Sequence, residues 1–200
     1  MRLKEESTPI NTTLSFIEAF NYYRLNNSKT APGAKSHFWL PPFPGGPNIL
    51  PTLGVLRGKI IIFQNFGSEP AEYGIKWESP LLSIQDEYSI PDLHAGLDYK
   101  FAAVTQGLND AKVGIEKKDG ILYLGHLSAS IGVLPIEAAA GTFRSGIEGG
   151  VVGINDRTGA FLEQGGGGRT GVVIIDFPGK ELVEKVLDRN QGLKIQTRLN

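Results

Sequence analysis

The sequence predicts an α/β fold in which a parallel sheet is combined with helices. Three observations predict it: short apolar runs alternate with segments of helical periodicity, the strongest run is continuous, and polar residues follow several runs. The strongest run, residues 60–66, is β-branched and bounded by glycine, which is typical of a strand buried on both faces. Strands and helices that alternate in this way build parallel sheets.

The first half of the chain contains this strand, one further strand, one helix and a long loop. Apolar residues spaced three and four positions apart predict a helix over residues 14–25, with Thr13 or Ser15 as its cap. Residues 26–52 are predicted to be a loop, because proline and glycine become too frequent there for a helix or a central strand. A charged strand is predicted at residues 1–5.

The second half alternates strands and helices more regularly. Its first helix carries Leu97, Phe101, Val104 and Leu108 on one apolar stripe. Residues 128–154 are rich in glycine, alanine and serine and are predicted to be mostly loop. In chain order, the predicted elements are a strand at 82–88, a helix at 93–112, a strand at 120–125, a helix at 155–164 capped by Asn155 or Asp156, a strand at 171–177 and a helix at 179–190.

Composition excludes several functions. The net charge is −1, so the chain lacks the basic excess of a nucleic-acid-binding protein. It contains no cysteine, which excludes disulfides, thiolate zinc sites, iron–sulfur clusters and a cysteine nucleophile. No signal peptide or membrane span is expected, since no apolar stretch approaches the roughly 20 residues that a span needs. The compartment is unknown, and the first residue is expected to be internal to a longer protein.

Two architectures fit the predicted elements, an open doubly wound sheet and a TIM-type (β/α)8 barrel. Polar residues at successive strand ends favour the mouth of a barrel: they are Gln64 and Asn65, Asp86 and Tyr88, His126, and Asp176. A complete barrel has eight βα units and about 250 residues. The strand count predicts one domain over residues 1–200 that corresponds to half of such a barrel.

Two glycine-rich segments resemble nucleotide-binding loops but lack their context. Residues 165–170 precede a predicted strand, whereas a phosphate-binding P-loop follows a strand and opens a helix. Residues 149–153 follow no predicted strand and open no clear helix, as a dinucleotide-binding turn would. Both segments are therefore interpreted as loops.

The carboxylates at strand ends are the leading candidates for function. Asp86 and Tyr88 lie two residues apart, so both side chains point to the same side of their strand. A carboxylate beside an aromatic ring suits a polyol, although a tyrosine in the core or at the rim explains Tyr88 equally well. Asp176 ends the last strand, where a helix cap or turn is the alternative to a functional role.

The three histidines give a weaker signal. His126 follows an apolar strand, and a packing role is favoured over catalysis because the sequence identifies no residue to orient it as a base. His37 and His94 lie in loop and helix-start contexts and are interpreted as surface residues.

Three segments together resemble the phosphatidylinositol-specific phospholipase C family, in its bacterial-like single-barrel branch. Residues 51–62 (PTLGVLRGKIII) are similar to a strand entry of that family, residues 84–88 (IQDEY) to its VQDxY pattern, and residues 171–177 (GVVIIDF) to its last strand. Residues 1–6 and the helix at 14–25 also resemble a middle strand and the helix that follows it. The resemblance covers nearly all of this chain but only the C-terminal half of the family's barrel.

The resemblance implies a phosphoric diester hydrolase of lipid metabolism that needs no metal or other cofactor. In the family, one histidine activates the inositol 2-hydroxyl, another protonates the leaving oxygen, and an arginine steadies the phosphate. These residues lie in the N-terminal half and have no counterpart here, so this chain is expected to be inactive alone.

The matching positions imply roles for individual residues. Asp176 corresponds to the aspartate that binds the catalytic base. Asp86 and Tyr88 correspond to the inositol-contacting carboxylate and the ring beneath the sugar, and Lys4 to a headgroup-binding lysine. Gln64 and Asn65 stand where bacterial members carry an arginine, which removes one expected inositol contact.

The expected partner is therefore a phosphoinositide or a related phosphodiester headgroup, with peripheral contact with a membrane through aromatic residues. Candidates for that contact are Trp39, Phe43 and Trp77. The alternative function is a non-catalytic module that binds a polyol or phosphoinositide headgroup. A third interpretation is an unrelated α/β hydrolase or sugar-binding domain.

Overall fold

The computed structural model describes residues 1–7, 10, 13–42, 49–68, 73–117, 119–142, 150–165 and 168–190. Those residues form six strands and six α-helices. The chain divides into two compact units after Leu82. Each unit contains a three-stranded sheet, with parallel strand pairs in both. The fold is therefore α/β with parallel sheets, as the sequence predicts.

The sheet of the first unit has the order β1-β2-β3, and both of its strand pairs are parallel. Strand β2 lies in the centre of this sheet. Of the apolar run predicted to be buried on both faces, Ile62 and Gln64 are buried, whereas Phe63 and Asn65 are partly buried and Ile60 is exposed. Strand β3 was not predicted, because two residues are too few for a sequence pattern. The strands are β1 (Arg2–Lys4), β2 (Phe63–Asn65) and β3 (Ile75–Lys76).

The helices of the first unit confirm one prediction and correct another. Helix α1 (Phe16–Asn21) continues into a π-helical turn at Tyr22–Asn26, so the predicted helix is present. Ser15 caps it: the Ser15 hydroxyl accepts from the Glu18 amide, and the Glu18 carboxylate accepts from the Ser15 amide at 2.7 Å.

The long predicted loop contains a helix, α2 (Ala31–His37). The prediction was wrong there because Pro32 lies in the first turn, where its missing N–H group is not needed. His37, at the end of α2, is exposed as expected. Residues 43–48 of the predicted loop, including Phe43, lie outside the described residues.

Aromatic rings fill the core of the first unit. Their centroids lie 5.0 to 6.1 Å apart, the range in which aromatic pairs attract one another. The Asn21 amide donates to the Tyr73 hydroxyl at 2.9 Å, which satisfies the polar end of a buried ring. The rings belong to Phe16, Phe20, Phe38, Phe66 and Tyr73.

The sheet of the second unit has the order β4-β5-β6, and β5 and β6 are parallel with His126 opposite Ile174. All three elements predicted at 82–125 are confirmed in type, as are the three predicted after residue 154. The strands are β4 (Leu82–Gln85), β5 (Leu122–His126) and β6 (Val172–Ile174), and the helices are α3 (Ala95–Lys117), α4 (Pro135–Ala140), α5 (Ile154–Glu163) and α6 (Lys180–Asp188).

The core of the second unit forms around helix α3. Leu97, Val104 and Leu108 are buried on the predicted stripe, and Phe101 is partly buried against the same core. Burying one such side chain contributes about 1.5–3 kcal/mol. The other members are Ile90, Leu127, Ala129, Ala138, Ile154, Leu162 and Leu182.

Helices α4 and α5 correct two further predictions. Helix α4 lies within the predicted loop at 128–154 and begins at Pro135. Helix α5 is capped by Gly153 rather than by Asn155 or Asp156. A Cβ atom at Gly153 would collide with the backbone of Ala139 and Gly141, so only glycine fits where the two helices meet.

The glycine-rich segment at 149–153 therefore does open a helix, although Gly149 itself lies outside the described residues. The segment at 165–170 precedes strand β6, as expected, and two of its glycines are likewise not described. Across the described ranges, no helix is long and apolar enough to cross a membrane.

Candidate functional site

Polar side chains lie at the carboxyl ends of β4, β5 and β6, and a lysine of α3 reaches the end of β5. We call Asp86, His126, Asp176 and Lys100 the strand-end cluster. Backbone contacts hold these ends side by side. The Leu127 amide, just beyond β5, donates to the Ile174 carbonyl of β6 at 2.8 Å. On the other side, Nδ1 of His126 lies 3.1 Å from the carbonyl oxygen of Gln85, the last residue of β4.

His126 lies in contact with both the backbone and a carboxylate. Its Nδ1 atom is 3.1 Å from the Gln85 carbonyl and 3.9 Å from Oδ1 of Asp86. A carbonyl only accepts, so this bond places a proton on Nδ1 and leaves Nε2 of the neutral ring as the acceptor. The structure thus supplies the orienting groups that the sequence did not identify. The burial of the ring agrees with the predicted packing role.

Lys100 is the residue of this cluster that sequence reasoning missed. Its side chain is 0% exposed, and its Nζ atom donates to the His126 carbonyl at 2.6 Å. Burial lowers its pKa to about 8, although the carboxylates of Asp86, Glu87 and Asp176 act in the opposite direction. A signal was present: Lys100 occupies the helical position three residues after Leu97, inside the apolar stripe of α3.

Asp176 begins a turn that is held by a buried side chain. The Asn155 amide nitrogen donates to the carbonyls of Asp176 at 3.0 Å and Phe177 at 3.3 Å. Phe177 has a φ angle of 48°, a left-handed conformation that costs a non-glycine residue free energy. Strained backbone of this kind is concentrated at functional sites.

Asp86 and Tyr88 are both accessible beyond the end of β4. The Asp86 side chain is 25% exposed and Tyr88 is 48% exposed. The backbone around Tyr88 is fixed, because its carbonyl accepts from the Ser130 amide at 2.9 Å. The contact of the Tyr88 ring with a sugar stays a prediction.

Lys4 and Gln64 lie at strand ends in the first unit. The Lys4 ammonium pairs with Glu6 at 2.8 Å and the Lys4 side chain is 40% exposed. Gln64 is buried: its oxygen accepts from the Tyr73 amide at 2.9 Å and its nitrogen donates to the Phe66 carbonyl and the Ser68 hydroxyl. Gln64 therefore stabilises its own loop at the position where the family resemblance implies an arginine.

The second unit contains two cavities, one of which borders the strand-end cluster. That cavity, of about 270 Å³, is lined by Asp86 and Gln85, and neither polar atom of the Gln85 amide has a hydrogen-bond partner in the part of the chain that the structure describes. The other, of about 700 Å³, lies between α5 and α6 and is lined by Asn155 and Phe177. The second volume falls within the roughly 300–1,000 Å³ of small-ligand sites. Among the residues that the structure describes, no group of histidine and acidic side chains could hold a metal ion.

The two described tryptophans proposed for membrane contact are partly buried. The guanidinium of Arg2 lies 4.1 Å from the centroid of the Trp77 ring, a cation–π contact that covers one face. The Trp39 amide donates to the Ile60 carbonyl at 3.0 Å, which fixes its backbone beside β2. Insertion of either ring into lipid stays a prediction.

Comparison with known proteins gives one informative similarity. Over 163 residues, or 78% of its length, the chain is 26% identical to the 1-phosphatidylinositol phosphodiesterase of Listeria monocytogenes. The chain spans 46% of that protein, about half its length. No family model matches the chain, and no solved structure matches it significantly. The chain is therefore distantly similar to a phosphatidylinositol phosphodiesterase.

Proposed function

We propose that this chain forms the headgroup-binding, C-terminal half of a TIM-type barrel of the phosphatidylinositol-specific phospholipase C type. The family's activity is that of a phosphoric diester hydrolase. The observation that carries the proposal is the contact between His126 and Asp86 at adjacent strand ends, with Asp176 beyond the next strand. The similarity to the Listeria monocytogenes phosphodiesterase supports it.

Each residue has a defined part in this proposal. The Asp86 carboxylate accepts hydrogen bonds from hydroxyl groups of the inositol ring, and the Tyr88 ring packs against its C–H face. The family resemblance alone assigns Lys4, in the first unit, to the phosphate of the headgroup, which a lysine binds by charge. Asp176 accepts a hydrogen bond from the imidazole that serves as base in the complete site.

Binding without turnover is the activity proposed for the 200 residues alone. Cleavage by this mechanism needs one imidazole to remove a proton from the attacking hydroxyl and another to protonate the leaving oxygen. His126 is buried with Nδ1 bound to a backbone carbonyl, and His37 and His94 are exposed outside the strands. This chain therefore supplies substrate contacts rather than the acid–base pair.

The test measures binding and turnover separately. We expect calorimetry to detect binding of myo-inositol 1-phosphate, and phosphorus NMR to detect no release of inositol phosphate from phosphatidylinositol vesicles. Asp86→Asn should weaken binding at least tenfold. The control Asp188→Asn, at the exposed end of α6, should bind like the wild type.

Two results would contradict the proposal. Release of inositol phosphate at enzymatic rates would show that the chain is a complete enzyme. Absence of binding would favour the unrelated α/β domain. If binding is confirmed, the mass of the protein in its source separates a stand-alone headgroup-binding module of 21.6 kDa from part of a larger phosphodiesterase.

A further inference from the structure

We propose that Lys100 is a positioning residue of the strand-end cluster: it holds the end of β5, and with it the His126 ring, against Asp86 and offsets the charge of the surrounding carboxylates. The inference deepens the headgroup-binding proposal and rests on it for its functional consequence. The geometry of Lys100 itself does not depend on that function.

Lys100 contacts the end of β5, and the charges of carboxylates after β4 and β6 act on it. Its ammonium donates to the carbonyl of His126, the last residue of β5. The carboxylates that act on it belong to Asp86 and Glu87 after β4 and to Asp176 after β6. The backbone that carries the His126 ring is therefore held by a cation on which these acidic groups also act.

Lys100 reaches this position from inside an apolar core. Its neighbours on the α3 stripe, Leu97 and Val104, belong to the buried core, and Lys100 is itself 0% exposed. A buried ammonium is costly unless it is paired and hydrogen-bonded. Burial lowers the pKa of Lys100 to about 8 despite three nearby carboxylates, so the cost of burial exceeds their attraction. A methionine of similar length would avoid this cost, which indicates that the charge serves the site rather than stability.

The experiment compares Lys100→Met with Lys117→Met, which removes an exposed lysine from the last turn of the same helix. The first readout is the NMR signal of the His126 ring between pH 7 and 10. In the wild type and in Lys117→Met we expect the signal to shift around pH 8, as Lys100 loses its proton. In Lys100→Met this shift should be absent.

The second readout is the affinity for myo-inositol 1-phosphate over the same range. Wild-type affinity should fall above pH 8, and Lys100→Met should bind at least tenfold more weakly at pH 7 without a further fall. A structural lysine would give neither the change in the histidine signal nor the alkaline loss of affinity.

The outcomes separate the two proposals. If the wild type does not bind the probe, the proposed function fails, and the His126 signal still decides whether Lys100 controls this ring. A His126 signal that does not respond around pH 8 in the wild type overturns the inference, even if Lys100→Met does not fold. Equal affinities in folded Lys100→Met and the wild type would overturn the functional part.

Discussion

The strand ends of the two units carry similar residue types but use them differently. In the first unit, both ends of the buried Gln64 amide bind neighbouring groups, and Lys4 pairs with exposed Glu6. In the second unit, the Gln85 amide has no hydrogen-bond partner among the described residues, Lys100 is buried with a lowered pKa, and Phe177 has a left-handed backbone.

The difference indicates where the molecule departs from what folding alone would favour. In structural regions, residues are usually placed where their local preferences agree with the fold. Residues whose preferences conflict with the fold are concentrated at functional sites. On this argument the strand-end cluster is the better candidate for function, and Gln64 is a structural residue. The following predictions test that contrast.

The largest expected effect is on the pH dependence of stability. Lys100 has a folded-state pKa of about 8, below its value of 10.5 in the unfolded chain. Between these values the unfolded chain binds a proton that the folded chain does not, so stability rises with pH. At about 1.4 kcal/mol per pH unit, the wild type should gain about 3 kcal/mol relative to Lys100→Met between pH 8 and 10.5. Urea unfolding across this pH range measures the gain. If the free energy of unfolding changes with pH in the same way in the wild type and in Lys100→Met, the prediction is wrong.

Gln64→Ala should lower the free energy of unfolding by about 2 kcal/mol, because the buried Tyr73 amide loses its acceptor. Urea denaturation measures the change. Gln106→Ala, which removes an exposed glutamine bound to Asp110, serves as the control and should change stability by less than about 0.5 kcal/mol. If Gln64→Ala and Gln106→Ala lower the free energy of unfolding equally, Gln64 does not have the structural role assigned to it.

Asn155→Ala should cost about 1 kcal/mol, because it removes two hydrogen bonds but also a buried oxygen that has no hydrogen-bond partner among the described residues. The same substitution frees the turn that carries Asp176. Because Asp176 is proposed to orient the base and not to contact the headgroup, affinity for myo-inositol 1-phosphate should stay close to the wild-type value. Asn109→Ala, on the exposed face of α3, is the matched control. A clear loss of affinity would contradict this role and place Asp176 among the headgroup contacts.

Lys4→Met should have the smallest effect on stability, below about 0.5 kcal/mol, because its ion pair with Glu6 is exposed. If Lys4 binds the headgroup phosphate, affinity should nevertheless fall several-fold at low salt. Lys35→Met, an exposed lysine on α2, controls for loss of one charge. If Lys4→Met and Lys35→Met bind myo-inositol 1-phosphate equally well, Lys4 does not contact the headgroup.

The strands that the sequence predicts well are those whose apolar runs are interrupted by few polar residues. Strands β2, β4 and β6 fall within predicted runs, and β5 extends one residue beyond its run, to His126. Strand β3 depends on pairing with β2, which a local pattern does not contain. Helix α2 was assigned to a loop because proline usually breaks helices, and α4 because its segment is rich in glycine, alanine and serine. In both helices the proline lies in the first turn, where it is tolerated.

The candidate site was predictable only in part. Asp86, His126 and Asp176 could be selected because they follow apolar runs. Lys100 was not selected, since lysine is usually exposed. Its position in the α3 stripe indicates a role only together with its burial and the hydrogen bond from its ammonium to the His126 carbonyl, which the sequence does not show. Asn155 was interpreted as a helix cap, but its amide binds carbonyls 21 and 22 residues away in sequence.

The clamp between Asn155 and the Asp176–Phe177 turn has a consequence for the order of folding. A left-handed phenylalanine does not form a stable turn by itself, so this turn should close only after α5 has docked. Contacts made so late are absent from the folding transition state. Asn155→Ala should then accelerate unfolding and leave the folding rate nearly unchanged, which stopped-flow chevron measurements would show. The last step of folding would thus be the one that completes the candidate site.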